Sequence, residues 1–217
     1  MKVGTDGCLL GGWFDVSCSK RILDIGCGSG LISIMAAQRC NAIITGVEID
    51  GGAAEQARAN VSNCPWSNRI RIVEVDILQY SPVEKYDTIV CNPPYFVNSL
   101  KCGTESRTLA RHSDTLSCEK FFAKAGELLA PDGKVSIVIP CDIFSEWKDA
   151  AAIKGFTPSR ITYIKTTPHK MPKRVLVEFV RAYTAETTVT TLVLEEERGV
   201  YSKDAQVILR DFYLKIL

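Results

Sequence analysis

Between the apolar run Arg21-Ile22-Leu23-Asp24-Ile25 and the amphipathic stretch Leu31 to Arg39 stand glycines at alternate positions, Gly26, Gly28 and Gly30. Glycine enters the left-handed backbone region without a Cβ penalty, so such a loop lets a buried strand end and a helix begin within a few residues. The same alternation continues down the chain. Ala42 to Ile49 reads as a strand, Gly52 to Asn63 as a helix, Ile70 to Leu78 and Tyr86 to Cys91 as strands, and Ser117 to Ala130 as a helix stopped by Pro131-Asp132-Gly133. Lys134 to Ile139 is a buried strand and Ile143 to Lys154 a helix; Ser159 to Lys165 and Arg174 to Tyr183 read as an antiparallel edge. A short strand near Thr191 to Leu194 and a helix from Lys203 to Ile216 follow. This order predicts an α/β fold: a Rossmann-like, doubly wound, mostly parallel sheet with helices on both faces and an antiparallel C-terminal edge. With 217 residues, 46% of them hydrophobic, and no repeat or linker, one domain over 1–217 is expected.

Charge excludes little. Lys+Arg (26) and Asp+Glu (25) nearly cancel, so any nucleic-acid footprint must be a local basic face. No apolar run reaches the roughly 18 residues that cross a bilayer, and the start lacks a signal-peptide pattern, so no membrane partner is expected. The nine cysteines are scattered, without a Cys-x-x-Cys pair or a His cluster. They read as reduced, structural thiols of a cytoplasmic protein, and no metal is expected.

In open α/β sheets ligands bind beyond the carboxyl ends of the strands. The first such loop here, Asp24-Ile25-Gly26-Cys27-Gly28-Ser29-Gly30, has the spacing G-x-G-x-G. A pyrophosphate fingerprint would need glycine at position 31, which is Leu31. Glu48 ends the second strand, where a carboxylate can accept ribose hydroxyls, and Asp50 two residues on suits a helix cap. Asp76 closes the third expected strand with Ile77 beside it, placed to accept from an adenine amine while Ile77 packs on the ring. Acids at successive strand ends suggest a nucleoside-bearing ligand.

Asn92-Pro93-Pro94-Tyr95 follows the fourth strand. A side-chain amide, a stiffened backbone and an aromatic ring can hold a planar, amine-bearing group by its hydrogens and its face. The oxygens of Asn92 and Pro93 can each accept one hydrogen, and Tyr95 can stack. Together with a methyl donor site this suggests methyl transfer to nitrogen. The corner alone leaves an adenine amine, a glutamine amide and a guanine amine open. For phosphates, the loop from Val97 to Ser113 offers Lys101, Arg107 and Arg111. A second basic stretch offers Lys165, His169, Lys170, Lys173 and Arg174, which could equally be an ordinary solvated hairpin.

The order glycine loop, acid, Asp, Asn-Pro-Pro-Tyr resembles the class I S-adenosylmethionine-dependent methyltransferases that modify amino groups. More specifically, the chain is similar to the bacterial tRNA1(Val) (adenine-N6)-methyltransferase family. That likeness is carried by Lys2-Val3-Gly4-Thr5-Asp6-Gly7 with Leu9-Leu10-Gly11 and Trp13, by Pro65-Trp66 with Arg69-Ile70, and by Asp211-Phe212-Tyr213-Leu214-Lys215. Members of that family usually carry a short stretch ahead of the segment matching Lys2. The resemblance implies S-adenosylmethionine as donor and S-adenosylhomocysteine as product. It implies donor contacts from Lys2, Gly4, Thr5, Asp6, Asp24, Gly26, Gly28, Gly30, Glu48, Asp76, Ile77 and Asn92, with Asn92, Pro93, Pro94 and Tyr95 forming the catalytic corner. It also implies a tRNA substrate, methylated on the adenosine next to the anticodon. The rival resemblance, to glutamine methyltransferases of release factors, is disfavoured because those enzymes place a sizeable helical domain ahead of the donor site. Guanine-N2 rRNA methyltransferases are a further alternative.

Overall fold

The computed structural model describes residues 4–94, 116–181 and 186–213. Lys2, Tyr95, Lys101, Arg107 and Arg111 lie outside them. In chain order the elements are α1 (Thr5–Trp13), β1 (Arg21–Ile25), α2 (Leu31–Arg39), β2 (Ile43–Glu48), α3 (Gly51–Ser62), β3 (Ile70–Glu74), β4 (Tyr86–Cys91), α4 (Cys118–Leu128), β5 (Leu129–Pro140), α5 (Phe144–Ile153), β6 (Thr157–Lys165), β7 (Arg174–Val180), β8 (Thr188–Val193), β9 (Glu195–Glu197), β10 (Val200–Tyr201) and α6 (Lys203–Leu209).

Eight strands form one sheet in the order β3-β2-β1-β4-β5-β7-β6-β8. Strands β1 to β5 pair in parallel, β7 is antiparallel to both its neighbours, and β8 runs parallel to β6. The carboxyl ends of β1, β2, β4, β5 and β6 therefore share one edge with the start of β7. The order reverses between β1 and β4, which is where open α/β sheets open a crevice.

Each face of the sheet is buried. On one side α4 and α5 bring Phe121, Phe122 and Trp147 against Phe156 and Phe179, with the Phe122 and Phe179 rings 5.0 Å apart and edge to face. On the other, Leu9, Leu10 and Phe14 of the α1 region, Ile32 and Ala36 of α2 and Leu209 of α6 cover Ile22, Ile44, Val90 and Leu176. No described helix is long and apolar enough to cross a membrane.

The structure departs from the sequence reading in a few places. Helix α1 is absent from the expectations, because three of its nine residues are glycines and its apolar positions go all round. The third strand stops at Glu74 rather than Leu78: the Asp76 carboxylate accepts from Leu78 N at 2.9 Å and Tyr80 N donates to the Asp76 carbonyl, which turns the chain. Helix α4 ends at Leu128, and Pro131-Asp132-Gly133 sits in a bulge of β5 between the pairs Tyr86–Leu129 and Thr88–Lys134. The acidic run Glu195-Glu196-Glu197 forms β9 against β10.

Candidate active site

One registered row of the sheet sets the site. Val47 of β2, Ile25 of β1 and Cys91 of β4 are aligned neighbours, so the next residue of each strand is Glu48, Gly26 and Asn92. The glycine loop, the carboxylate and the amide corner thus leave the sheet side by side at its carboxyl edge.

Gly26, Gly28 and Gly30 all have positive φ, at 66°, 55° and 81°. Any other residue would be strained at each. A Cβ on Gly26 would meet nothing within 4 Å, so that side of the turn is open for a ligand. Beneath it, Cys27 fills space left by Gly46 in β2, where an added Cβ would lie 2.8 Å from Cys27 Sγ.

Glu48 is 8% exposed. Its Oε2 accepts from Gly28 N at 2.8 Å, and its Oε1 accepts from Ile49 N at 2.9 Å and Asp50 N at 3.0 Å. Three of about four lone-pair sites on the carboxylate are committed to backbone, leaving one for a ligand hydroxyl. Asp50 does cap α3, accepting from Ala53 N at 2.7 Å. Asp76 is half-buried at its turn, with buried Ile77 beside it.

Asp24 lies beneath the loop, 1% exposed. Ser33 Oγ donates to its Oδ2 at 2.7 Å, while Oδ1 is buried with no hydrogen-bond partner. Burial, reinforced by the Glu48 charge and opposed by Ser33, pushes the carboxyl up to about 7. A buried acceptor without a donor, under an open left-handed glycine turn, fits a ligand bearing N–H donors or positive charge. The methionine end of S-adenosylmethionine meets that description.

The first turn of α1 covers this seam. A Cβ on Gly7 would lie 3.4 Å from Leu31 Cδ2 and 3.8 Å from Asn92 Nδ2, so the helix rests across the end of the glycine loop and the amide corner together. Gly4 and Thr5 are exposed at its start, and Asp6 turns to the far side, where Arg174 Nε donates to its Oδ2 at 2.8 Å. Asn92 is half-buried, Pro93 buried and Pro94 exposed.

The second basic stretch forms the turn between β6 and β7. Because Arg174 pairs with Pro140 and Ile164, residues 166–173 stand on the same edge of the sheet as the amide corner. His169 and Lys170 are exposed, and Lys165 Nζ donates to the Pro168 carbonyl at 2.9 Å. The thiols nearest the site are unsuited to nucleophilic work: burial first, then the charges of Asp24 and Glu48, push Cys27 and Cys91 well up. Among the described residues no group of His, Cys, Asp and Glu is gathered to hold a metal ion. An open cleft of about 510 Å³ lies at the opposite edge, by Ser19, Asp87, Lys134 and Glu178, away from the glycine loop.

Sequence reasoning missed Ser33, Gly7 and Gly46. Gly46 carried a signal, since glycine inside a strand marks a close backbone approach. Ser33 carried none until Asp24 was seen beneath it.

This arrangement is that of a methyl-donor fold, and the chain belongs to the methyltransferase small domain family, whose model matches residues 4–146. A relative from Bacteroides fragilis is 46% identical, aligned over all of this chain and 92% of its own length, and is named tRNA1(Val) (adenine(37)-N6)-methyltransferase. Relatives of that name from Parabacteroides distasonis and Aliivibrio salmonicida are 43% and 39% identical with the same coverage. Among solved structures, a protein of Agrobacterium tumefaciens described as a predicted O-methyltransferase superposes with a TM-score of 0.75 over 98% of this chain and 99% of its own, at 22% identity. The glycopeptide N-methyltransferase MtfA, complexed with S-adenosylmethionine, gives 0.60 over 84% of this chain and 90% of its own, at 14% identity. Both are likenesses of fold.

Proposed function

We propose that this protein transfers a methyl group from S-adenosylmethionine to the N6 amine of the adenosine beside the anticodon of tRNA1(Val), working as a single methyltransferase domain in the cytoplasm. The observation that carries the reading is the aligned row that brings Gly26, Glu48 and Asn92 out of the sheet together. The acceptor identity is supported by full-length relatives of that name.

The donor supplies an electrophilic methyl on a sulfonium. The chain's own residues hold and orient. Gly26, Gly28 and Gly30 let backbone approach the methionine end, Asp24 Oδ1 faces that end, and Glu48 accepts from the ribose. Asp76 and Ile77 receive the adenine of the donor. On the acceptor side the Asn92 side-chain oxygen and the Pro93 carbonyl each take one hydrogen of the target amine. That turns its lone pair toward the methyl and favours the tetrahedral nitrogen of the transition state. Tyr95 stacks on the base, a contact worth roughly 1–3 kcal/mol. The base must leave its stack to reach the corner. Lys170 and Lys173, with Lys101, Arg107 and Arg111, supply the phosphate contacts that hold the RNA meanwhile.

Incubation with radiolabelled donor and, in parallel, total tRNA or purified release factor tests the reading. Label is expected in tRNA, and label in release factor alone overturns it. Asn92→Ala is expected to abolish transfer while S-adenosylhomocysteine still binds. Equal loss of binding would move the acceptor site elsewhere.

A further inference from the structure

The Asp6–Arg174 pair joins two parts of the chain 168 residues apart. Arg174 Nε donates to Asp6 Oδ2 at 2.8 Å, and its Nη1 donates to the Lys173 carbonyl at 3.1 Å, so the guanidinium is braced on its own strand while it reaches α1. Asp6 precedes Gly7, the residue that rests over Leu31 and Asn92. Arg174 opens β7, just after the basic turn, and its backbone is registered with Pro140 and Ile164. One ion pair therefore ties the cover of the donor–acceptor seam to the start of β7, a strand paired on both sides.

The rest of α1 is held by other means. Trp13 Nε1 donates to Thr162 Oγ1 at 3.0 Å, and Arg39 Nη1 donates to the Gly11 and Phe14 carbonyls at 2.8 Å. Those contacts fix the C-terminal end of the helix, far from the seam. At the N-terminal end Gly4 caps α1 without a side-chain hydrogen bond, and the Asp6 carboxylate is the charged group that the first turn offers.

We propose that Asp6 and Arg174 are a positioning pair that holds the first turn of α1 over the methyl-donor site, so that Asp6 serves the donor through Arg174 and not by touching it. Arg174 is thereby engaged with the protein and not with tRNA phosphate. The inference rests on the donor-site reading above. The side chains are 29% and 35% exposed. An ion pair at that exposure adds little to global stability, so its effect should be read in the site and not in the melting curve.

The test uses the full chain and three variants, Asp6→Asn, Arg174→Gln and the double change. S-adenosylhomocysteine affinity is measured by calorimetry without RNA, beside the melting temperature and the donor KM and kcat with tRNA. Each single change is expected to weaken S-adenosylhomocysteine about tenfold and to raise donor KM by a similar factor, with kcat nearly kept. The double variant is expected to match the singles, because either change removes the charge pairing between the same two side chains. Losses that add in the double variant overturn the pair and make Asp6 a direct donor ligand. Unchanged S-adenosylhomocysteine affinity in Arg174→Gln, with the log–log salt slope of tRNA binding reduced by about one, overturns it in favour of a phosphate contact. Donor affinity is read without RNA, so failure of the tRNA assignment and failure of the pair remain distinguishable.

Discussion

Replacing Glu48 by glutamine separates two duties that one carboxylate performs. In the folded protein Oε1 accepts from two backbone N–H groups and Oε2 from Gly28 N. Glutamine keeps one acceptor oxygen. Placed at the Oε1 position, it retains Ile49 and Asp50 and turns its NH2 toward the Gly28 N–H, donor against donor. The loss is one hydrogen bond to a charged acceptor at a site 8% exposed, about 2 kcal/mol. For a chain of this length that lowers the melting temperature by roughly 4–8 °C. On the proposed ribose role the same change also removes the remaining acceptor site, so S-adenosylhomocysteine should bind roughly ten- to a hundredfold more weakly. Differential scanning calorimetry reads the first effect and titration calorimetry the second. A melting point within a degree of the unaltered protein would refute the anchoring of the glycine loop through Glu48. A large fall in melting point with unchanged affinity would refute its ribose role.

Asp24→Asn tests the buried carboxyl. Its folded pKa of about 7 lies above the unfolded value near 3.9, so the folded state holds the extra proton between those limits and stability falls as pH rises through about 4 to 7, by on the order of 4 kcal/mol at most. Urea denaturation at pH 5 and pH 8 should show that fall in the unaltered protein and a flatter profile in Asp24→Asn; equal slopes would show that Asp24 is not the group responsible. Gly12→Ala should destabilise even though alanine favours helix by about 1 kcal/mol, because the new Cβ would overlap the Ile208 carbonyl oxygen and lie 2.8 Å from Ile208 Cγ2. Overpacking of about 1–3 kcal/mol leaves a net loss of up to about 2 kcal/mol, and a melting temperature that rises would refute the tight α1–α6 crossing.

The parts of this fold that can be read from sequence are those in which local pattern and tertiary role agree. Strands β1, β2 and β4 are short apolar runs ended by Gly26, Asp50 and Pro93, and the structure ends them within two residues of those signals. The candidate row was legible for the same reason: Gly26, Glu48 and Asn92 lie at or directly after strands whose ends could be located, whereas Asp76 follows a strand whose end could not. Helix α1 was not legible as structure, because Gly7, Gly11 and Gly12 argue against helix locally. Contacts override them: an added Cβ at Gly11 would press on Met35 of α2, and one at Gly12 on α6. The glycines permit both neighbours to approach, and that packing supplies what propensity withholds. The role of Arg174 was hidden differently. In sequence it is the last of a basic cluster, and nothing local distinguishes a phosphate ligand from an ion-pair partner of a residue 168 positions away.

That contrast bears on where specificity resides. One sheet order serves many reactions, so the row of Glu48, Gly26 and Asn92 carries the proposed meeting of methyl donor and acceptor but does not say which acceptor is taken. The choice must lie beyond the strand tips, in elements that are weak in local pattern: the first turn of α1, the corner after Cys91 and the turn between β6 and β7. Asp6 and Arg174 connect the first of these to the third, and Gly7 connects the first to the second. A change that loosens the first turn of α1 should therefore show in donor retention, with kcat nearly kept. A change confined to Lys170 or Lys173 should weaken RNA alone, with a smaller salt slope and an unaltered affinity for S-adenosylhomocysteine.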